Sequence, residues 1–123
     1  MRVARRLVVK VTCGTDDPER SNQGLTVASA AVSSGAEVSL WLTGEAAWFA
    51  TPDRAPDLGL PHATAAADLV SVVREGGGLV TLCTQCAARR DLGEVDVLPG
   101  VRIAGAAVFV EEALGEGTQA LVY

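Results

Sequence analysis

The chain has 123 residues, of which 49% are hydrophobic, 20% charged and 4% aromatic, and its formal net charge is −5. This describes a single domain over 1–123, large enough for a full core that Val, Ala and Leu must build because aromatic side chains are scarce. The acidic balance excludes nucleic acid and anionic membrane surfaces as natural partners, and no stretch approaches the roughly 20 apolar residues of a membrane span.

The apolar runs between Met1 and Thr12 are too short for the core of a signal segment, so a cytoplasmic location is expected. The three cysteines are then expected to be reduced, and their odd number argues against a structural disulfide framework. Arg2, Arg5 and Arg6 read as a solvated strand edge. Arg6 to Thr12 (RLVVKVT) is β-branched and nearly continuous, the pattern of a buried parallel strand, and Cys13-Gly14-Thr15 ends it. Asp17-Pro18 then looks like an N-cap followed by proline at the first helical position. The helix from Glu19 to Ser33 carries Leu25, Ala28, Ala31 and Val32 at helical spacing, and Gly35 closes it.

Glu37 to Thr43 is a second strand, with Val38, Leu40 and Leu42 on one face and Trp41 on the other. Gly44 starts a turn, with a helical turn or two expected over Glu45 to Ala50. The prolines at 52, 56 and 61 make Thr51 to Pro61 a loop. A helix over Thr64 to Glu75 points Ala66, Leu69, Val70 and Val73 inward. Gly76-Gly77-Gly78 ends it and precedes a strand, so it is no phosphate loop. Leu79 to Cys83 is the third strand and Gln85 to Arg90 a short helix. Val101 to Ala104, Ala106 to Leu114 and Gln119 to Tyr123 complete the chain as strand, helix and strand. Alternation at this spacing predicts a parallel sheet with helices on both faces. Right-handed crossovers would put every strand's C-terminal end on one edge, where function in such sheets sits.

Cys13, Thr43-Gly44 and Cys83 all fall at strand C-termini. Cys83 also precedes a helix N-terminus, where backbone N–H groups favour a thiolate, and Arg89 and Arg90 can add positive potential. These are the conditions of a reactive cysteine; the alternative is a small buried hydrophobe. Cys86 is either a resolving thiol for Cys83 or an inward-facing helix residue. Cys13 reads as filler at a strand tip, with a place in the substrate site as the competing reading, and His62 as a solvated loop residue or a lid position. A zinc site from Cys13, Cys83, Cys86 and His62 lacks the two local ligand pairs of a compact module. Glu111 and Glu112 read as solvated. Trp41 belongs to the core, and Trp48-Phe49 is a candidate subunit contact.

Three segments resemble the DsrE family of small sulfur-relay proteins. Leu40 to Ala46 (LWLTGEA) after Gly35-Ala36-Glu37-Val38 is similar to its second strand and turn. Gly78 to Arg90 is similar to its strand–cysteine–helix segment, with Arg89 and Arg90 at the family's spacing from the cysteine. Gly100 to Tyr123 is similar to its strand–helix–strand finish. The resemblance implies a three-layer α/β/α domain with a five-stranded parallel sheet, assembly into trimers or hexamers, and sulfur donor and acceptor proteins as partners. It implies that Cys83 accepts and passes on sulfane sulfur as a persulfide, with Cys86 as a possible second thiol. Residue by residue only Cys83 inherits a role from the family; Arg89, Arg90, Gly44 and Cys13 are expected around it from their places near the same sheet edge, and no cofactor or metal is called for. Two departures stand out: Cys86 sits where single-cysteine members usually have a small residue, and Asp91 replaces the expected glycine. The competing classes are a non-catalytic oligomeric binding domain with incidental cysteines and a zinc-stabilised domain.

Overall fold

The computed structural model describes residues 5–123; Arg2 of the basic N-terminal group lies outside them. The elements are β1 (Arg6–Val11), α1 (Pro18–Ser33), β2 (Glu37–Leu42), a 3₁₀-helix (Gly44–Ala50), α2 (Ala66–Glu75), β3 (Leu79–Cys83), α3 (Thr84–Arg89), β4 (Arg102–Ala104), α4 (Ala106–Ala113) and β5 (Thr118–Val122). Each expected element is present, with ends moved by a residue or two, the usual uncertainty of terminal hydrogen bonds. The Asp17 carboxylate accepts from the Arg20 N–H with Pro18 opening α1, and Gly35 follows the helix at φ 88°. The Glu45–Ala50 turn is a 3₁₀-helix rather than α.

The five strands are all parallel, in the order β4-β3-β2-β1-β5. Moving from β1 to β4 the chain steps in one direction across the sheet, so right-handed crossovers lay α1 and α2 on one face. The return from β4 to β5 runs the other way, and the same handedness sends α4 over the opposite face. Period-2 alternation divides the side chains accordingly. Val9, Val11, Val38, Leu40, Leu42, Val80 and Leu82 join Leu25, Ala28, Leu69, Val70 and Val73 in the main core. Gly76 and Gly78 let the α2–β3 turn pack closely, because a Cβ at Gly76 would run into Val32 of α1 and one at Gly78 into Val73 of α2.

Among the described residues the second face is covered by α4, none of whose residues is fully buried. Trp41 lies here, as its alternation requires, with its ring edge-on to Phe109 (centroids 5.4 Å, interplanar angle 86°). Glu112 corrects the expectation of a solvated carboxylate pair. It accepts from Ser39 Oγ at 2.6 Å and Trp41 Nε1 at 3.0 Å, and pairs with Arg102. Since α4 crosses the middle of the sheet, its inward stripe includes Glu112 but leaves Glu111 exposed. Phe49 is a second correction: it is buried in the protomer's own core and is unavailable to a subunit contact. Trp48 stays half-buried, with the Arg54 guanidinium 5.5 Å from its ring.

Candidate functional site around Cys83

The apolar pattern of β3 (LVTLC) carries the chain through the sheet and delivers Cys83 to its C-terminal edge as the N-cap of α3. Its backbone is extended (φ −62°, ψ 131°), so the sulfur faces the first turn of the helix. The N–H groups of Gln85 and Cys86 are directed at this sulfur without closing a cap of ordinary geometry. Burial pushes the Cys83 thiol up. The Cys86 N–H, the Cys86 thiol, the Gln85 N–H and the Lys10 ammonium outweigh it, and the net shift is downward. Cys83 is half-buried and all three cysteines are free thiols.

Cys86 is a core residue, 8% exposed, one helical turn inward from Cys83. Its sulfur accepts the Gly44 N–H at 3.2 Å. A glycine is required for that contact: Gly44 has φ 54°, and a Cβ there would run into the Thr12 carbonyl oxygen. A contact thus links the 3₁₀-helix to α3, from the Gly44 N–H to the Cys86 sulfur, three residues beyond Cys83. Gly44 serves it through its backbone alone.

The two arginines divide. Arg90 donates to Glu45 Oε2 through Nη2 (2.7 Å) and Nε (3.1 Å), and to the Cys86 carbonyl through Nη1 (3.2 Å). It braces α3 against the 3₁₀-helix, with its charge met by Glu45. Arg89 is exposed on the helix surface. Lys10 of β1 is a cation on the same sheet face as Cys83, a placement the sequence reading missed. The available signal was a lone charge inside an otherwise apolar buried strand. Asp91, where the family resemblance expects glycine, has a left-handed backbone at φ 52°.

Cys13 is buried at the tip of β1, and β2 lies between β1 and β3. Burial raises its pKa, the Asp17 and Asp16 charges raise it further, and Arg20 opposes them. Its setting is the reverse of that of Cys83. His62 is an exposed turn residue at φ 62°. Among the described residues no group of three or more His, Cys, Asp or Glu is placed to hold a metal ion, so the four-residue zinc set is not assembled.

A cavity of about 500 Å³ opens at the opposite edge of the sheet from Cys83, between Arg6, Glu37, Gly77, Leu79 and Glu112. Cys83 lines neither this nor the smaller hollows beside Arg5 and Gln119, Arg74 and Pro99, or Thr15 and Trp48. The half-buried thiol stands at the sheet edge, where a group presented by another macromolecule can reach it.

The sequence profile of the DsrE/DsrF-like family matches residues 5–122. Among solved structures, the YchN protein from E. coli superposes with a TM-score of 0.79 at 16% identity, over 98% of this chain and 100% of that one. A conserved protein of unknown function from Bacteroides thetaiotaomicron superposes at 0.63 with 14% identity, over 96% and 94%. At such identities the likeness is one of fold. No curated protein matches the sequence.

Proposed function

Because this chain belongs to the DsrE/DsrF-like family, we propose that it is a sulfur-relay protein in which Cys83 carries sulfane sulfur as a persulfide. The observation that carries the reading is the thiolate-favouring, half-open setting of Cys83 at the β3–α3 junction. The Cys83 thiolate attacks the outer sulfur of a donor persulfide. The donor's S–S bond breaks and the donor leaves as a thiolate, while a new S–S bond forms at Cys83. An acceptor thiolate then takes the outer sulfur, and Cys83 returns as a thiolate. Neither step changes the overall oxidation state.

Cys86 gives the site a second course. Its sulfur attacks Cys83 Sγ, expels hydrosulfide and leaves a Cys83–Cys86 disulfide, which an external thiol reductant must reset. The buried position of Cys86, with its sulfur engaged by Gly44 N–H, makes this course slower than delivery to an acceptor. The place of Cys83 at the sheet edge favours proteins as donor and acceptor. The family resemblance favours assembly into trimers or hexamers. A cytoplasmic setting suits the three free thiols.

Loading reduced protein with a low-molecular-weight persulfide and weighing it intact tests the reading. The wild type should gain the mass of one sulfur atom, Cys83→Ser should gain none, and Cys86→Ser should hold the added sulfur longer. Equal loading of Cys83→Ser and wild type would defeat the relay. An unchanged lifetime in Cys86→Ser would reduce Cys86 to packing.

A further inference from the structure

Lys10 lies in the middle of β1, between Val9 and Val11, both fully buried. An ammonium drawn into a sheet face normally has a carboxylate beside it, since desolvation without a partner is costly. Lys10 takes part in no salt bridge among the described residues. Its Nζ stands instead 4.8 Å from the centroid of the Phe109 ring. That ring is held edge-on by Trp41, whose own ring has the Arg102 guanidinium 5.4 Å away. The row across the face is therefore cation, ring, ring, cation. Arg102 is neutralised by Glu112 and Lys10 is not.

Strand register puts Lys10 and Cys83 on the same face. Lys10 is opposite Trp41, Trp41 is opposite Thr81, and Cys83 follows two residues further along β3. Two strand spacings and two residues make a diagonal of about 12 Å between the Cα atoms, of which a lysine stem can cover roughly half. The other ionisable groups around this region are spoken for. On β4 and α4, Arg102 and Glu112 cancel; on the 3₁₀-helix and after α3, Glu45 and Arg90 cancel; α3 itself offers the Cys86 thiol and, at its far end, the solvent-exposed Arg89.

We propose that Lys10, held by the ring of Phe109, is the charge partner of the Cys83 sulfur and makes the site select anionic sulfur: the thiolate at rest and the persulfide anion when loaded. The proposal deepens the relay reading and rests on it. Lys10 acts through Cys83 and is a positioning residue for charge, not a group that transfers sulfur.

The test is the pH–rate profile of Cys83 alkylation by iodoacetamide, a neutral probe, mapped peptide by peptide with Cys13 as internal standard. Lys10→Met keeps the stem and removes the charge. It should move the Cys83 midpoint to higher pH and slow its reaction at neutral pH by about three- to tenfold. Lys10→Arg should restore most of the rate, and the Cys13 profile should not move. A structural role alone would shift both thiols and would not be rescued by charge. Should Lys10→Met fail to fold, salt decides on the wild type. Raising ionic strength should slow Cys83, by screening Lys10, and speed Cys13, by screening Asp16 and Asp17. A Cys83 profile unchanged in Lys10→Met, or a Cys83 rate indifferent to salt, overturns the proposal. Sulfur loading plays no part in this readout. A Cys83→Ser variant that still loads would therefore defeat the relay and leave the Lys10 result standing, while a flat Lys10→Met profile would do the reverse.

Discussion

Asp91 follows Arg89 and Arg90 where the family resemblance expects glycine, and at φ 52° it pays the left-handed backbone cost that glycine avoids. Asp91→Gly should therefore raise stability by about 0.5–1 kcal/mol, read as a higher denaturation midpoint. A lower midpoint would mean that the aspartate makes up for its backbone in another way. Gly44 is the opposite case. Gly44→Ala combines φ 54° with a collision against the Thr12 carbonyl, and should cost about 1–3 kcal/mol. It should also loosen the Gly44 N–H from the Cys86 sulfur and speed Cys86 alkylation. A variant as stable as the wild type, with Cys86 still protected, would remove Gly44 from the site. Sequence alone marked Gly44 as a turn and Cys83 as the thiol of interest. It did not reveal that Gly44 bonds to Cys86, three residues beyond that thiol, because the contact spans 42 residues.

Among the elements, α4 is the weakly held one. It buries no residue fully and is fastened by the Phe109–Trp41 contact and the Glu112 cluster. Burial raises the Glu112 pKa, but the hydrogen bonds from Ser39, Arg102 and Trp41 and the Arg102 charge lower it more. A carboxyl whose folded pKa is depressed stabilises the fold above the ordinary glutamate range, and that contribution is lost as pH falls through the lowered value. Glu112→Gln should cost about 1–3 kcal/mol at neutral pH, a figure discounted because the pair is only partly buried. The variant's urea midpoint should also fall less than that of the wild type between pH 5 and the acid limit, roughly the window of carboxylate titration. Parallel acid profiles would show that Glu112 is not the group responsible. The helical period of α4 was legible from its sequence, but its inward stripe was not. An amphipathic pattern does not say that a polar residue will meet Ser39, Trp41 and Arg102 from two strands.

At the scale of the molecule, one short helix crossing a five-stranded sheet leaves apolar surface uncovered. Val110 (50% exposed) lies on α4, Leu114 (80%) caps that helix, and Leu121 (38%) and Val122 (62%) lie on the edge strand β5. Such an edge invites a partner. The protein should therefore scatter light as a trimer or hexamer of its 12.6 kDa chain, and Leu114→Glu should lower that mass. A protomer mass at every micromolar concentration would sink the expectation.

What the sequence determined by itself is local or periodic: five strands, the Asp17-Pro18 helix start, the inward residues of α2, and a cysteine at the end of β3. These follow from side-chain spacing and from backbone preferences of proline and glycine, which act within a few residues. The all-parallel sheet also followed, since alternating strands and helices permit little else. What only the tertiary structure decided is which distant residues share a face. Strand order keeps Cys13 apart from Cys83, folds Gly44 against Cys86, spends Arg90 on Glu45 and sets Lys10 under Phe109. Electrostatic and hydrogen-bond partners are fixed by distance through space, and a linear pattern carries no measure of that distance until the strands have been put in order.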